Sequence, residues 1–403
     1  MPKATTSKRG NQLNYSSIRK LLPFAAEAKA QGVEVIRLNI GDPDLQTPAV
    51  FLNRLHNWDM DPIRYAQPAG EAELIAALYD YYQKCGYNYV AKEDIIVTIG
   101  GSEALAMAMF AIADNDDEVL VPEPFFANYS ILAQMQDIKL IPIPTSINDG
   151  FRLPKKADIA KLITKRTKGI LYSSPGNPTG TTYTKEEVEM LIDLCVEHGI
   201  HLISDEVYRE FIFSDQKHVS LATYMDKYPH NLIMLDSFSK RYNLCGARLG
   251  MLVSKDEKLK DVVLRMANGR LSGVLIDQIM GAALKDVPNE HFEKVSKELK
   301  GRRDVVFAAL KKIKGVSTYL PEGAFYLMVG LPVEDAEDFC KYLLQEFRLD
   351  NTTLMLAPGK GFYLNPDKGQ NEVRIAYVVN KQALSIAMKI LESALKAYMS
   401  TKR

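Results

Sequence analysis

From residue 94 to 253 the chain alternates short β-branched and aliphatic runs with stretches whose apolar positions recur at helical spacing. DIIVTI (94–99), 118–121, 140–144, KGILYS (168–173), IHLIS (200–204), LIML (232–235) and ARLGMLV (247–253) read as strands. The Ala/Met-rich stretch that begins at Ser102 reads as a helix. Thr184 followed by Glu187 is a capping-box pattern, and it opens a helix to about residue 198. Strands alternating with helices in this way predict a mostly parallel sheet covered on both faces, an α/β/α sandwich.

The rhythm changes after about residue 262. Helical stretches run to about 314, shorter strands follow near 325–329, 353–356 and 373–379, and an amphipathic helix over 381–398 comes last. This predicts a second, smaller α+β domain. A helix over 17–31, ended by Gly32, precedes the large sheet and is expected to pack with the C-terminal part. The expected organisation is a large domain over 45–295 and a discontinuous small domain from 1–44, with an N-terminal arm, and 296–403.

Composition narrows the class without touching chemistry. With 50 Lys+Arg against 50 Asp+Glu the net charge is zero, which argues against a nucleic-acid or membrane-surface partner. Hydrophobic residues at 47% and charged ones at 25% are ordinary globular values. The longest apolar run, 104–113, falls well short of the ~20 residues that span a bilayer. MPKATTSKRGNQ has no apolar core behind its basic residues, so no secretory signal is read there, and a soluble cytoplasmic protein is expected. Cys85, Cys195, Cys245 and Cys340 form no CxxC pair, which fits reduced thiols. The histidines are scattered; the nearest pair, His198 and His201, falls on a helix end and a strand start, so no metal is expected.

Ligands of a parallel α/β sheet gather at the carboxyl ends of its strands. Reading there in order gives GGSEA (100–104), PEPFFANY (122–129), SSPGNPTG (173–180), SDEVY (204–208) and DSFSKRYNLCGAR (236–248). Each has an ordinary explanation. Ser102 would cap a helix, Asp205 would start a turn, Lys240 would be solvated, and Phe125 and Phe126 would pack. Yet an open helix start is also an anion site. Brought to one edge, glycine loops, hydroxyls, aromatics, an amide, a carboxylate, a lysine and an arginine suit an anionic aromatic cofactor better than a hydrolytic site.

Ser237, Ser239 and Lys240 in SxSK, with Arg248 eight residues on, resemble the cofactor-lysine motif of class I/II aminotransferases. These are the fold-type I enzymes that use pyridoxal 5′-phosphate (PLP). NIGDPD (39–44), RYAQPAG (64–70), GGSEA, PGNPTG (175–180), SDEVY and VRIAY (373–377) resemble the family's other landmarks, in order, and the similarity covers roughly 17–398. The resemblance implies that Lys240 carries the cofactor and serves as general base at the substrate Cα. It implies that Asp205 faces the pyridine nitrogen, that Tyr208 and Asn177 bind the ring oxygen, and that Phe126 stacks on the ring, where relatives often carry Trp or Tyr. Gly101, Ser102, Ser237, Ser239 and Arg248 would hold the phosphate. Gly41 and Asn177 would meet the substrate, and Arg374 would anchor its α-carboxylate through a bidentate fork. On their own, a Gly-Asp-Pro turn explains Gly41, and an arginine in a late strand usually pairs with Asp or Glu. Tyr65 would reach the phosphate of a neighbouring subunit, which makes a homodimer part of the expectation.

The implied activity is amino transfer between an L-amino acid, aspartate first, and a 2-oxo acid such as 2-oxoglutarate. The alternative is a PLP lyase of the same fold, a β-C–S lyase or an aminocyclopropane-carboxylate-synthase-like enzyme. Other classes fit poorly. A regulator with this fold needs a helix-turn-helix module, and residues 1–38 hold one useful helix. No GxGxxG follows a strand, and Ser102 lacks the second glycine of GxSxG. A dicarboxylate donor needs a second cation, for which Arg270 in NGRLSG (268–273) is the expectation, against its alternative as an exposed helix-end residue.

Overall fold

A computed structural model describes residues 4–13, 19–58 and 60–401. Its centre is a seven-stranded sheet in the order Ile95–Ile99, Leu249–Val253, Leu232–Ser237, His201–Asp205, Thr167–Ser173, Glu118–Glu123, Lys139–Pro144. The last five pair in parallel. Leu249–Val253 is antiparallel to both neighbours, so six strands run one way and one opposes them. All residues of Leu232–Ser237 and Leu249–Val253 are buried, which is why 232–235 and 249–253 are continuously apolar instead of alternating.

The predicted capping box is present. Thr184 Oγ1 accepts from the Glu187 N–H at 3.2 Å, the Glu187 carboxylate accepts from the Thr184 N–H at 2.8 Å, and helix Lys185–His198 ends at left-handed Gly199. Ser102 does not cap its helix. Gly100–Ile112 begins two residues earlier, at a terminus with no side-chain cap, where the Glu103 carboxylate accepts the Ile99 N–H at 2.6 Å.

A second group of elements packs beside the large sheet. Tyr326–Gly330, Glu372–Ala376, Ser317–Thr318 and Ala357–Pro358 make a four-stranded antiparallel sheet. Glu34–Arg37, a strand that hydropathy did not single out, pairs in parallel with Thr352–Met355. One apolar cluster joins Ala25 and Leu38 to Leu299, Phe325 and Leu391. The helix expected over 17–31 spans Leu22–Ala30, and its expected start at residue 17 lies outside the described residues. Helix Glu290–Leu310 runs through position 295/296 without a break. No helix among the described residues is long and apolar enough to cross a membrane.

Candidate active site

The parallel strands deliver their carboxyl ends to one edge, and a cavity of about 640 Å³ opens there. The reversed strand explains how an arginine joins them. Because Leu249–Val253 runs backwards, with Gly250 opposite Ser237, it brings its N-terminal side and hence Arg248 to the same edge. Arg248 itself is left-handed at φ 41° and donates from Nη1 to the Cys245 carbonyl at 2.9 Å. Gly100 has φ +74°, and a Cβ there would lie 2.4 Å from Arg248 Nη2, so the guanidinium can reach this helix start only over a glycine.

Lys240 follows its strand through one helical turn, Phe238–Arg241. Ser237 caps that turn, its Oγ accepting from the Ser239 N–H at 3.1 Å and donating to the Leu249 carbonyl at 2.8 Å. Lys240 Nζ donates to the Gly41 carbonyl at 2.7 Å and lies 3.5 Å from Cys245 Sγ. Gly41 is more than a turn residue, since a Cβ there would fall 1.6 Å from the Tyr326 hydroxyl oxygen.

Under the lysine turn lies a buried charge network. Asp236 pairs with Arg209 at 2.7 Å and with Arg241, and accepts from the Tyr82 hydroxyl at 2.9 Å. Burial alone would push its carboxyl up, but the two guanidinium groups hold it below the usual range. Asp236→Ala removes the nearest carboxylate from two buried cations, leaving Arg209 and Arg241 with Glu210 at 3.3 and 3.7 Å, and is expected to cost about 3 kcal/mol in thermal or urea unfolding. A loss under about 1 kcal/mol would show that the network is dispensable.

Asp205 ends its strand at the cavity, where the Tyr129 hydroxyl donates to it at 2.5 Å. Burial pushes its carboxyl up to about 6, against the lowering effect of hydrogen bonds from Tyr129 and the Val207 backbone. Arg374 is 1% exposed, with Nη1 donating to Asn177 Oδ1 at 2.9 Å and Nη2 to the Asn39 carbonyl at 2.5 Å. Its guanidinium lies 4.5 Å from the Tyr326 ring centroid and 4.9 Å from that of Phe362, while Nε has no hydrogen-bond partner. Among the described residues no carboxylate pairs with it, so the ordinary structural explanation for this arginine does not hold. A buried cation left in this state favours an anionic ligand. Desolvation accordingly lowers its ionisation from the usual guanidinium value.

Gly101, Ser102, Phe126, Tyr208 and Ser239 also line the cavity. Phe126 meets Tyr129 edge-on at 5.7 Å. Tyr65, expected at a neighbouring subunit's phosphate, and Arg270 lie outside this chain's own cavity. Tyr65 is 79% exposed. Arg270 is not an exposed helix end. Its Nη2 donates to the Val97 and Pro68 carbonyls at 2.7 and 3.2 Å, and Nη1 lies 3.5 Å from Glu103. These contacts fasten segment 64–70 to strand Ile95–Ile99. Sequence reasoning missed Arg19 and Tyr326, which do line the cavity. Tyr326 sits in a wholly apolar strand that reads as core, and Arg19 is one of two adjacent basic residues at a helix start. Among the described residues no cluster of three His, Cys, Asp or Glu is placed to hold a metal.

An uncapped helix start beside an arginine, a half-buried carboxylate, a lysine and an anion-seeking arginine define a site for a phosphorylated, cationic ring and a carboxylate substrate. The family described as aminotransferase class I and II matches residues 33–391, and the chain belongs to it. It is 30% identical to an aspartate aminotransferase of Pyrococcus horikoshii over 95% of both chains. In structure it is similar to an alanine aminotransferase from Pyrococcus furiosus, with TM-score 0.88 and 28% identity over 98% of this chain and 100% of that one. It is also similar to an aspartate aminotransferase from Thermus thermophilus with maleate, with TM-score 0.85 and 26% identity over 97% and 100%. The protein is thus a PLP-dependent aminotransferase of fold type I, moving an amino group between an amino acid and a 2-oxo acid. The donor set fits the cofactor, since the helix start at Gly100 has no side-chain cap and Arg248 lies against it, a cradle for a phosphate. Nothing in these relatives favours the lyase alternative.

Proposed function

We propose that this enzyme transfers the amino group of a dicarboxylic amino acid, aspartate foremost, to 2-oxoglutarate. The observation that carries the substrate reading is Arg19. The cavity is lined by Arg19, Lys240, Arg248 and Arg374. Lys240 is needed for chemistry, Arg248 lies against the helix start, and Arg374 suits an α-carboxylate. Arg19 is left over, exposed at the cavity, with no carboxylate partner among the described residues. Arg270, the earlier expectation for a second cation, lies outside this chain's cavity, with Nη2 on the Val97 and Pro68 carbonyls.

The roles follow from the chemistry of each side chain. Lys240 Nζ would carry the cofactor and, once free, take the proton from the substrate Cα. Asp205 would keep its carboxylate against the ring nitrogen, with Tyr208 and Asn177 at the ring oxygen and Phe126 over the ring. Gly101, Ser102, Ser237, Ser239 and Arg248 would hold the phosphate by N–H, hydroxyl and guanidinium groups. Arg374 would fix the α-carboxylate, with Gly41 and Asn177 beside it. Bound PLP supplies an electron sink for the pair left on Cα.

We place the large domain at 45–295 and the small one at 1–44 with 296–403, and the enzyme in the cytoplasm as a homodimer. Ile63, Tyr65, Leu271 and Val274 are large apolar side chains left exposed in one chain, and a second copy covering them would carry Tyr65 to the partner's phosphate.

A donor panel with 2-oxoglutarate tests the substrate. Arg19→Gln is expected to lower kcat/KM for aspartate by about 10–100-fold, the effect of one charge-assisted bond, while alanine changes little. Arg374→Lys should lower every donor together, because a point charge cannot replace the fork. Equal effects of Arg19→Gln on all donors would exclude the dicarboxylate reading.

A further inference from the structure

Tyr326 opens strand Tyr326–Gly330, in which every residue is buried. Its side chain nevertheless lines the cavity and meets three working parts of the site. Its hydroxyl lies 3.0 Å from that of Tyr208, and the two rings meet edge-on at 5.6 Å. Its face carries the Arg374 guanidinium at 4.5 Å. The Gly41 backbone presses so closely on the phenol that no side chain fits between them. The oxygen is therefore pinned, and Tyr208 is its hydrogen-bond partner.

We propose that Tyr326 is a positioning residue serving two sites at once. Its ring supports the Arg374 guanidinium, and its hydroxyl donates to Tyr208 so that the Tyr208 proton points into the cavity. Two phenols in contact share one hydrogen bond. If Tyr208 spent its proton on Tyr326, it would have none for a ring oxygen in the cavity. Among the described residues Tyr326 has no other hydrogen-bond acceptor, so donation to Tyr208 satisfies both groups. Donation also polarises Tyr208 and makes it the stronger donor. Burial raises the Tyr208 ionisation well above that of an ordinary phenol, so it retains the proton it donates. One side chain thereby joins the carboxylate anchor to the proton at the ring oxygen.

The inference rests on Tyr208 facing the cofactor's ring oxygen, as proposed above. Its test is the pH midpoint of the visible absorbance of the loaded enzyme without substrate, read beside kcat and KM. Donation to the ring oxygen favours its anionic form, so weaker donation raises the midpoint. Tyr326→Phe should raise it by about 0.5–1 unit, the equivalent of one hydrogen bond, with KM for amino donors within about twofold. Tyr326→Leu should give the same shift and also raise KM for every donor by about tenfold, because the ring beneath Arg374 is gone. Tyr208→Phe should shift the midpoint further, and adding Tyr326→Phe to it should change nothing more. If Tyr208→Phe moves the midpoint and Tyr326→Phe does not, the coupling is wrong and the Tyr208 role stands. If Tyr208→Phe leaves it unmoved, the Tyr208 role fails and the coupling falls with it.

Discussion

Lys240→Ala is expected to lower turnover by at least about 10⁴-fold, the upper range for removing a positioned proton-transfer group, because the covalent attachment is lost as well. Cofactor should nonetheless remain bound after desalting. Lys240 Nζ touches the Gly41 carbonyl and Cys245 Sγ, whereas the phosphate side is built from the helix start at Gly100, the Ser237 cap and Arg248. Truncation opens no buried orphan either, since the Gly41 carbonyl borders the cavity and water can reach it. Near-stoichiometric PLP by alkaline release, with altered visible absorbance and negligible single-turnover amino transfer, is the expected combination. Turnover within tenfold of wild type would remove Lys240 from the chemistry. Loss of both cofactor and fold would show that the lysine is structural.

The parts of this site that could be read from sequence are those whose local signals are self-contained. LIML and IHLIS read as strands because a sheet covered on both faces needs apolar residues throughout. The loops after them could be ranked together because carboxyl ends of parallel strands converge. Thr184 with Glu187 identifies a helix start through groups three residues apart. What was not legible depends on partners far along the chain. The direction of Leu249–Val253 leaves no trace in its pattern, since a buried strand is equally apolar either way. Tyr326 reads as core because its functional neighbours, Tyr208 and Gly41, are over a hundred residues away. Arg270 reads as a cation beside glycines, and that its Nη2 bonds the Val97 and Pro68 carbonyls depends on residues more than 170 positions away.

Asp205→Asn is expected to act in opposite directions on the cofactor-free and loaded enzyme. Burial raises the Asp205 carboxyl from its ordinary 3.8 to about 6. A carboxyl whose folded value lies above its unfolded one contributes its stability in full below about pH 4, and loses it as pH rises through about 6. Two units correspond to up to about 3 kcal/mol. Asparagine cannot ionise, and its Oδ1 can still accept from Tyr129. The cofactor-free variant should therefore exceed wild type in thermal stability at pH 7.5 and converge with it near pH 4. With PLP bound the order reverses, because the carboxylate then faces a cationic ring nitrogen. Removing one member of such a buried pair costs about 3–5 kcal/mol, which is about 10²–10⁴ in kcat. Asp205→Glu keeps the charge and should retain more activity than Asp205→Asn. If the cofactor-free variant tracks wild type across this pH range, the carboxyl is not desolvated. If the loaded variant keeps kcat within tenfold, the ring nitrogen does not depend on this charge.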